Sequence, residues 1–304
     1  MNRFAKLAWT ALAWTAFDIL WGAYVRASGS GTGCGINWPT CNGQVIPTPQ
    51  SVEMMVEFTH RAISGVALLM VLALLIWGWR KYPKGNPVRI GVTGAAVFIL
   101  IEAGLGAGLV FAERSKNSVL YATLVAVHLL NTFILLAFLA LTAWWASGGR
   151  PITLKERGYV PLLFGIGLVG VALLGMAGAV TALGDTLFPP ASLAQGLAQD
   201  ADSSANFLVR LRVIHPIFAI LVGVYTLYLV RTIYGKFNTR SGRRLSLLLG
   251  GLVLVQLTAG VINLLLLAPV WMQLVHLFLA DSVWISYVLL AASTLSVESQ
   301  QDRP

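Results

Sequence analysis

Four histidines, His60, His128, His215 and His276, and two cysteines, Cys34 and Cys41, are the only residues of their kinds in a chain of 304. An imidazole can move a proton, share a hydrogen bond or bind a metal. Zinc or copper would want three or four protein ligands close together, and no histidine here has another histidine or a cysteine three or four residues away. Taken in twos, neutral imidazoles suit haem iron, with one histidine from each of two facing helices filling the two axial positions. Any one of them alone reads equally well as a hydrogen-bonding group between helices. The elements that carry them decide.

Those elements are membrane helices. Hydrophobic residues make up 57% of the chain and charged residues 11%, with a mean hydropathy of +0.76, where soluble domains carry about 25% charged residues. Windows of the roughly 20 apolar residues that span a bilayer fall at 7–26, 56–79, 88–111, 119–146, 158–181, 208–234, 245–267 and 270–292. An all-α membrane protein of eight transmembrane helices is expected. The first window has no small-residue cleavage site after it and reads as a retained helix, and no Arg- and Ser-rich presequence precedes it.

Basic residues cluster in alternate connections: Arg3 and Lys6; Arg80, Lys81, Lys84 and Arg89; Arg150, Lys155 and Arg157; Arg231, Lys236, Arg240, Arg243 and Arg244. These are the cytoplasmic sides, so both termini are expected inside a cell membrane. The net charge of +9 follows from that asymmetry and calls for no nucleic-acid partner.

The eight windows read as four written twice. Gly22-Ala23 matches Gly178-Ala179 at an offset of 156, His60 matches His215 at 155, Glu102 matches Gln256 at 154 and His128 matches His276 at 148. Each half, 1–148 and 149–304, holds an even number of helices, so the halves are expected to be four-helix bundles related by a parallel pseudo-two-fold repeat. Every histidine then enters a helix from the outside and lies at one depth, roughly 7 to 14 Å below the outer boundary at 1.5 Å per residue. An ionisable residue there is a functional candidate. Repetition of histidine at all four places favours two pairs of haem ligands near the outer face.

Glu57 precedes His60 by three residues and shares its helix face. A carboxyl there could move protons or hydrogen-bond an intermediate; it is also a residue that a helix N-terminus favours. Arg212 stands at the corresponding place in the second half, an asymmetry that marks the first half as the catalytic one. Arg61 and Arg212 adjoin the histidine layer and are candidates to pair with haem propionates, while Arg26 and Arg210 fit equally with snorkelling at helix ends. Asn131, three residues after His128, is a candidate to support that histidine. Asp18, Glu102 and Asp281 read as interhelical hydrogen-bonding groups outside the site.

The segment GSGTGCGINWPTCNG followed by EFTHR resembles the haem A synthase family, and with the four histidines the resemblance covers essentially the whole chain. It implies an oxidoreductase that converts the C8 methyl of haem O to a formyl group. It implies haem b as cofactor on His215 and His276 in the C-terminal half, and a substrate haem site with His60, His128 and Arg61 in the N-terminal half. Glu57 matches the family's essential glutamate, and Cys34 and Cys41 match its loop disulfide, which serves as a structural staple or in redox handover. Some members carry a second cysteine pair in the third outer loop, and residues 182–207 have none. Haem O synthase and an electron donor are the partners the resemblance implies. Two other readings stand beside it: a cytochrome b-like electron-transfer protein with bis-histidine haems, and a haem or solute transporter. The single outer layer of histidines disfavours electron transfer across the bilayer.

Overall fold

The computed structural model describes residues 1–48, 50–155, 157–236 and 240–296; the side chains of Lys236 and Arg240 and the last residues of the second half, 297–304, lie outside the described set. Among the described residues the regular structure is helical, without a strand. The helices are α1 (Arg3–Ala27), α2 (Val52–Lys81), α3 (Pro87–Ala112), α4 (Val119–Ala146), α5 (Val160–Leu187), α6 (Leu193–Ala201), α7 (Phe207–Leu211), α8 (Ile214–Lys236), α9 (Arg240–Leu265) and α10 (Val270–Thr294). Seven spans, with α7 and α8 counted as one, are long and apolar enough to cross a membrane. α1 is not among them, its apolar run being interrupted by Lys6, Asp18, Arg26 and several threonines.

Side-chain caps start the first four long helices. Asn2 accepts from Ala5 N, Ser51 from Met54 N, Asn86 from Val88 N and Ser118 from Tyr121 N, each satisfying a donor the helix cannot. α1 packs on α2 and α4, α2 on α3 and α3 on α4, while α5 packs on α8 and α10, α8 on α9 and α9 on α10. α4 and α10 are the most enclosed helices, and they meet where Trp284 Nε1 donates to Phe133 O at 2.6 Å and the two rings stack at 4.9 Å. Small residues let the backbones approach: Ala5, Ala8 and Ala11 line the buried face of α1, and Ala140 and Ala143 that of α4. Large apolar side chains such as Leu69, Val97, Leu162, Ile217 and Val224 instead point outwards, as lipid-facing surfaces do. This is a multi-pass membrane protein.

One span departs from the sequence reading. The continuous helix expected over 208–234 is broken at Arg212 and Val213, between α7 and α8. Pro216 is the physical cause: its ring clashes with the carbonyl four residues earlier, at Arg212, and it has no N–H to give. The break puts His215 in the first turn of α8. In α2 the residue after the histidine is Arg61, and that helix runs on unbroken.

Candidate functional site

Each of the four histidine rings faces a glycine on a neighbouring helix. A methyl group built on Gly22 of α1 would lie 2.9 Å from the His60 ring, and one on Gly178 of α5 would lie 2.9 Å from His215. From α3, Gly106 faces His128 at 3.8 Å, and from α9, Gly260 faces His276 at 3.2 Å. Any other residue at Gly22 or Gly178 would displace the imidazole. The rings are half-buried, and the Nδ1 atoms of His128 and His276 are buried without a hydrogen-bond partner, whereas His60 Nδ1 faces Asp18.

The His215 and His276 rings approach to 6.4 Å between centroids. Two imidazoles on opposite sides of one metal, with bonds of about 2.0 Å, have centroids about 6 Å apart. α8 and α10 therefore hold this pair at the spacing of axial ligands. Among the described residues, no group of three or more His, Cys, Asp and Glu is arranged to hold an ion by itself. For His215 and His276, the ring spacing and the clearance at Gly178 and Gly260 fit a flat macrocycle with an iron at its centre.

The first-half histidines carry acidic neighbours, which the sequence reading left outside the site. His60 Nδ1 lies 3.0 Å from Asp18 Oδ1, and His128 Nε2 lies 3.2 Å from Glu102 Oε1. Ser64 Oγ donates to Asp18 Oδ1 at 2.8 Å, and Thr132 Oγ1 donates to Glu102 Oε1 at 2.5 Å. Asn131 Nδ2 donates to Glu102 Oε2 and to Phe98 O, so it supports His128 through the glutamate. The available signal was the same offset that aligned the histidines, which sets Asp18 against Leu174 and Glu102 against Gln256. Asp281 is buried, and neither carboxyl oxygen has a hydrogen-bond partner.

Glu57 is buried on α2 beneath the loop that joins α1 to α2. Its Oε2 accepts from Cys34 N at 2.8 Å, and its Oε1 pairs with Arg61. Arg61 also donates to Asn37 O at 2.7 Å and to Thr40 O. The loop is closed by a Cys34–Cys41 disulfide and buttoned to α2 through these two side chains. Arg212 does the corresponding work for the connection between α5 and α8. It is buried and donates to Asp185 Oδ1 at 3.2 Å, Asp200 Oδ1 at 3.1 Å and Gln199 Oε1 at 3.2 Å, fastening α5 and α6 to the end of α7. In this structure both arginines engage loops. Arg26 reaches Thr186 Oγ1 at 3.4 Å and lines an outer cavity of about 290 Å³ with Glu113, Lys116 and Tyr121. Arg210 borders a second cavity beside Asp200 and Ile214.

Gly33 lets the first loop lie directly on the start of α2, where an added methyl would fall 2.4 Å from the Glu53 carbonyl carbon. Backbone cannot yield there as a side-chain tip would. Gly33→Ala is expected to lift the loop off Glu57 and to cost about 1–3 kcal/mol, as overpacking does. Faster hydrogen exchange at the Cys34 amide, with α4 unchanged, is the measurement.

The profile of the cytochrome oxidase assembly protein family matches residues 5–288. A Thermus thermophilus protein named protoheme IX farnesyltransferase is 49% identical over 296 residues, which is 97% of this chain and 49% of that protein. The chain thus spans about half the length of that relative. A heme A synthase of Alkalihalophilus pseudofirmus is 34% identical over 140 residues, 46% of this chain and 45% of that protein. A heme A synthase of an Exiguobacterium species is 30% identical over 213 residues, 70% of this chain and 67% of that protein. With the pattern matched from the first helix to the last, this chain belongs to the haem A synthase family of cytochrome oxidase assembly proteins.

Proposed function

We propose that this chain is a membrane oxidoreductase that converts the C8 methyl of haem O to a formyl group, yielding haem A. The observation that carries the reading is the second-half histidine pair, held from two helices at axial spacing, beside a first-half pair of the same residue type with different neighbours. On this reading 1–148 and 149–304 are repeated four-helix halves. α1 supplies the eighth crossing, both termini are cytoplasmic, and the histidines lie toward the outer face. The glycine facing each histidine recurs at nearly the offset of the histidines themselves, 156 for Gly22 and Gly178 and 154 for Gly106 and Gly260, which supports the repeat.

His215 and His276 would hold haem b as the resident cofactor, and His60 and His128 would receive haem O. When bound, haem b would supply a one-electron iron centre beside the substrate half. The chain's own residues do the rest. Gly22, Gly106, Gly178 and Gly260 leave room for the imidazoles, and the disulfide loop, pinned by Glu57 and Arg61, shields the substrate half from water. Glu57 is the carboxylate available at that lid. Arg61 and Arg212 hold the two outer loops and are the candidates to meet propionates when a haem enters.

The Thermus relative supports a place for the chain beside its substrate's source. Its name describes farnesyl transfer to protohaem, and this chain matches only 49% of it. We read the matched half as the oxidase and the remainder as the enzyme that farnesylates haem b, so that a haem O synthase supplies the substrate and a separate electron donor serves the site. The acids of the outer half favour the oxidase over the transferase for the matched portion: they are engaged with histidines and arginines, whereas pyrophosphate transfer uses carboxylates to hold Mg²⁺.

The test is mass analysis of haems extracted from purified protein supplied with haem O. Hydroxylated haem O or haem A should appear beside haem b. Two equivalents of haem b with no oxidised product would instead favour a cytochrome b-like electron-transfer protein.

A further inference from the structure

The two histidine pairs have different surroundings, and the difference is systematic. In the first half, each histidine has a carboxylate on the neighbouring helix and a hydroxyl one turn further along its own helix, donating to that carboxylate: Asp18 with Ser64 for His60, Glu102 with Thr132 for His128. In the second half, the offsets of the repeat put Leu174 at the place of Asp18 and Ala219 at the place of Ser64. They put Gln256, 3.3 Å from His276 Nε2, at the place of Glu102, and Ala280 at the place of Thr132. Carboxylate and hydroxyl are present together twice and absent together twice. Interhelical packing alone would not require a hydroxyl to follow each acid.

Placing a carboxylate inside a span is costly, and the donors offset part of that cost. They also orient it. With Ser64 on Asp18, and Thr132 and Asn131 on Glu102, an oxygen lone pair of each acid remains turned to an imidazole nitrogen. A carboxylate beside a metal-binding histidine fixes the ring and makes it a stronger electron donor to the metal. A stronger donor, with negative charge close by, favours the oxidised iron. Leu174 offers His215 only its neutral main-chain carbonyl, and the Gln256 amide is neutral.

We propose that Asp18 and Glu102 are positioning residues that orient His60 and His128 and hold the first-half iron at a lower reduction potential than the second-half iron. This rests on the reading that His60 and His128 ligate the substrate's iron. The two irons would then differ in the direction that lets the second-half centre accept an electron from the first.

The experiment is a spectroelectrochemical titration of the full chain carrying haem b and supplied with haem O. His60→Ala identifies the first-half component by its disappearance. Asp18→Asn and Glu102→Gln, which keep side-chain size, should each shift the oxidised-to-reduced ratio of that component at least tenfold toward the reduced form, a rise of about 59 mV for one electron. The second-half component should stay in place. Gln256→Glu should do the converse, lowering the second-half potential alone, and remains informative if an Asp18 or Glu102 variant fails to fold. A first-half component that none of the acid variants moves, or a second-half component that Gln256→Glu does not move, overturns the proposal and leaves the function standing. If His60→Ala removes no component, the function and the proposal both fall.

Discussion

His276→Ala protein is expected to purify without the haem held between α8 and α10, while the fold around α1 to α4 persists. The His215 and His276 rings are 6.4 Å apart, and each faces a glycine that leaves no alternative side chain to take over. On the proposed assignment, His215 and His276 would together hold the iron, and each variant removes one of the two. Even changes one shell further out lower metal affinity 10–100-fold, so retained haem should fall by more than about tenfold, and His215→Ala should behave alike. The haem content of protein purified in detergent, read as the pyridine haemochrome, is the measurement. His276→Gln, which keeps more of the side-chain volume, guards against a packing effect and should give the same loss. Full haem retention in these variants together with its loss in His128→Ala would exchange the roles assigned to the two halves.

Glu57→Ala should do the opposite: the resident haem stays and oxidised product disappears. Glu57 is remote from His215 and His276 in sequence and belongs to the first-half loop, where it accepts from the Cys34 amide and pairs with Arg61. Removing it leaves a half-buried guanidinium and a buried amide without their shared acceptor. Breaking such a pair costs about 3–5 kcal/mol, although Arg61 keeps its carbonyl partners Asn37 and Thr40. Product formed from haem O should fall by about 10²-fold or more, the contribution typical of a positioned acid or base. Glu57→Gln separates two roles, because an amide oxygen still accepts from Cys34 but carries no charge. If the glutamine variant restores both the closed loop and the product, Glu57 serves the loop alone. A closed loop without product assigns the carboxylate to the chemistry.

Much of this site was legible without coordinates because histidine is scarce and the membrane imposes a strict order. A bilayer admits long apolar helices, so counting along each one puts His60, His128, His215 and His276 on the helices that carry them, α2, α4, α8 and α10. Seven of the eight expected spans are long and apolar enough to cross a membrane, since composition sets them, and the Cys34–Cys41 disulfide forms as the family resemblance implied. The break before α8 follows from Pro216, whose effect the apolar run through 208–234 masks.

What tertiary structure alone decided is which side chains meet. Asp18 lies on α1 and His60 on α2, Glu102 on α3 and His128 on α4; no count along one helix reveals which faces of two helices touch. The same holds for Glu57 and Arg212. Sequence placed them at corresponding positions with opposite charge, and only packing made each the buried anchor of an outer loop. Residue type and periodicity determined where ionisable groups sit in the membrane. Rotation of the helices about their axes, set by alanines and glycines at their contacts, determined the partners that burial requires each group to find.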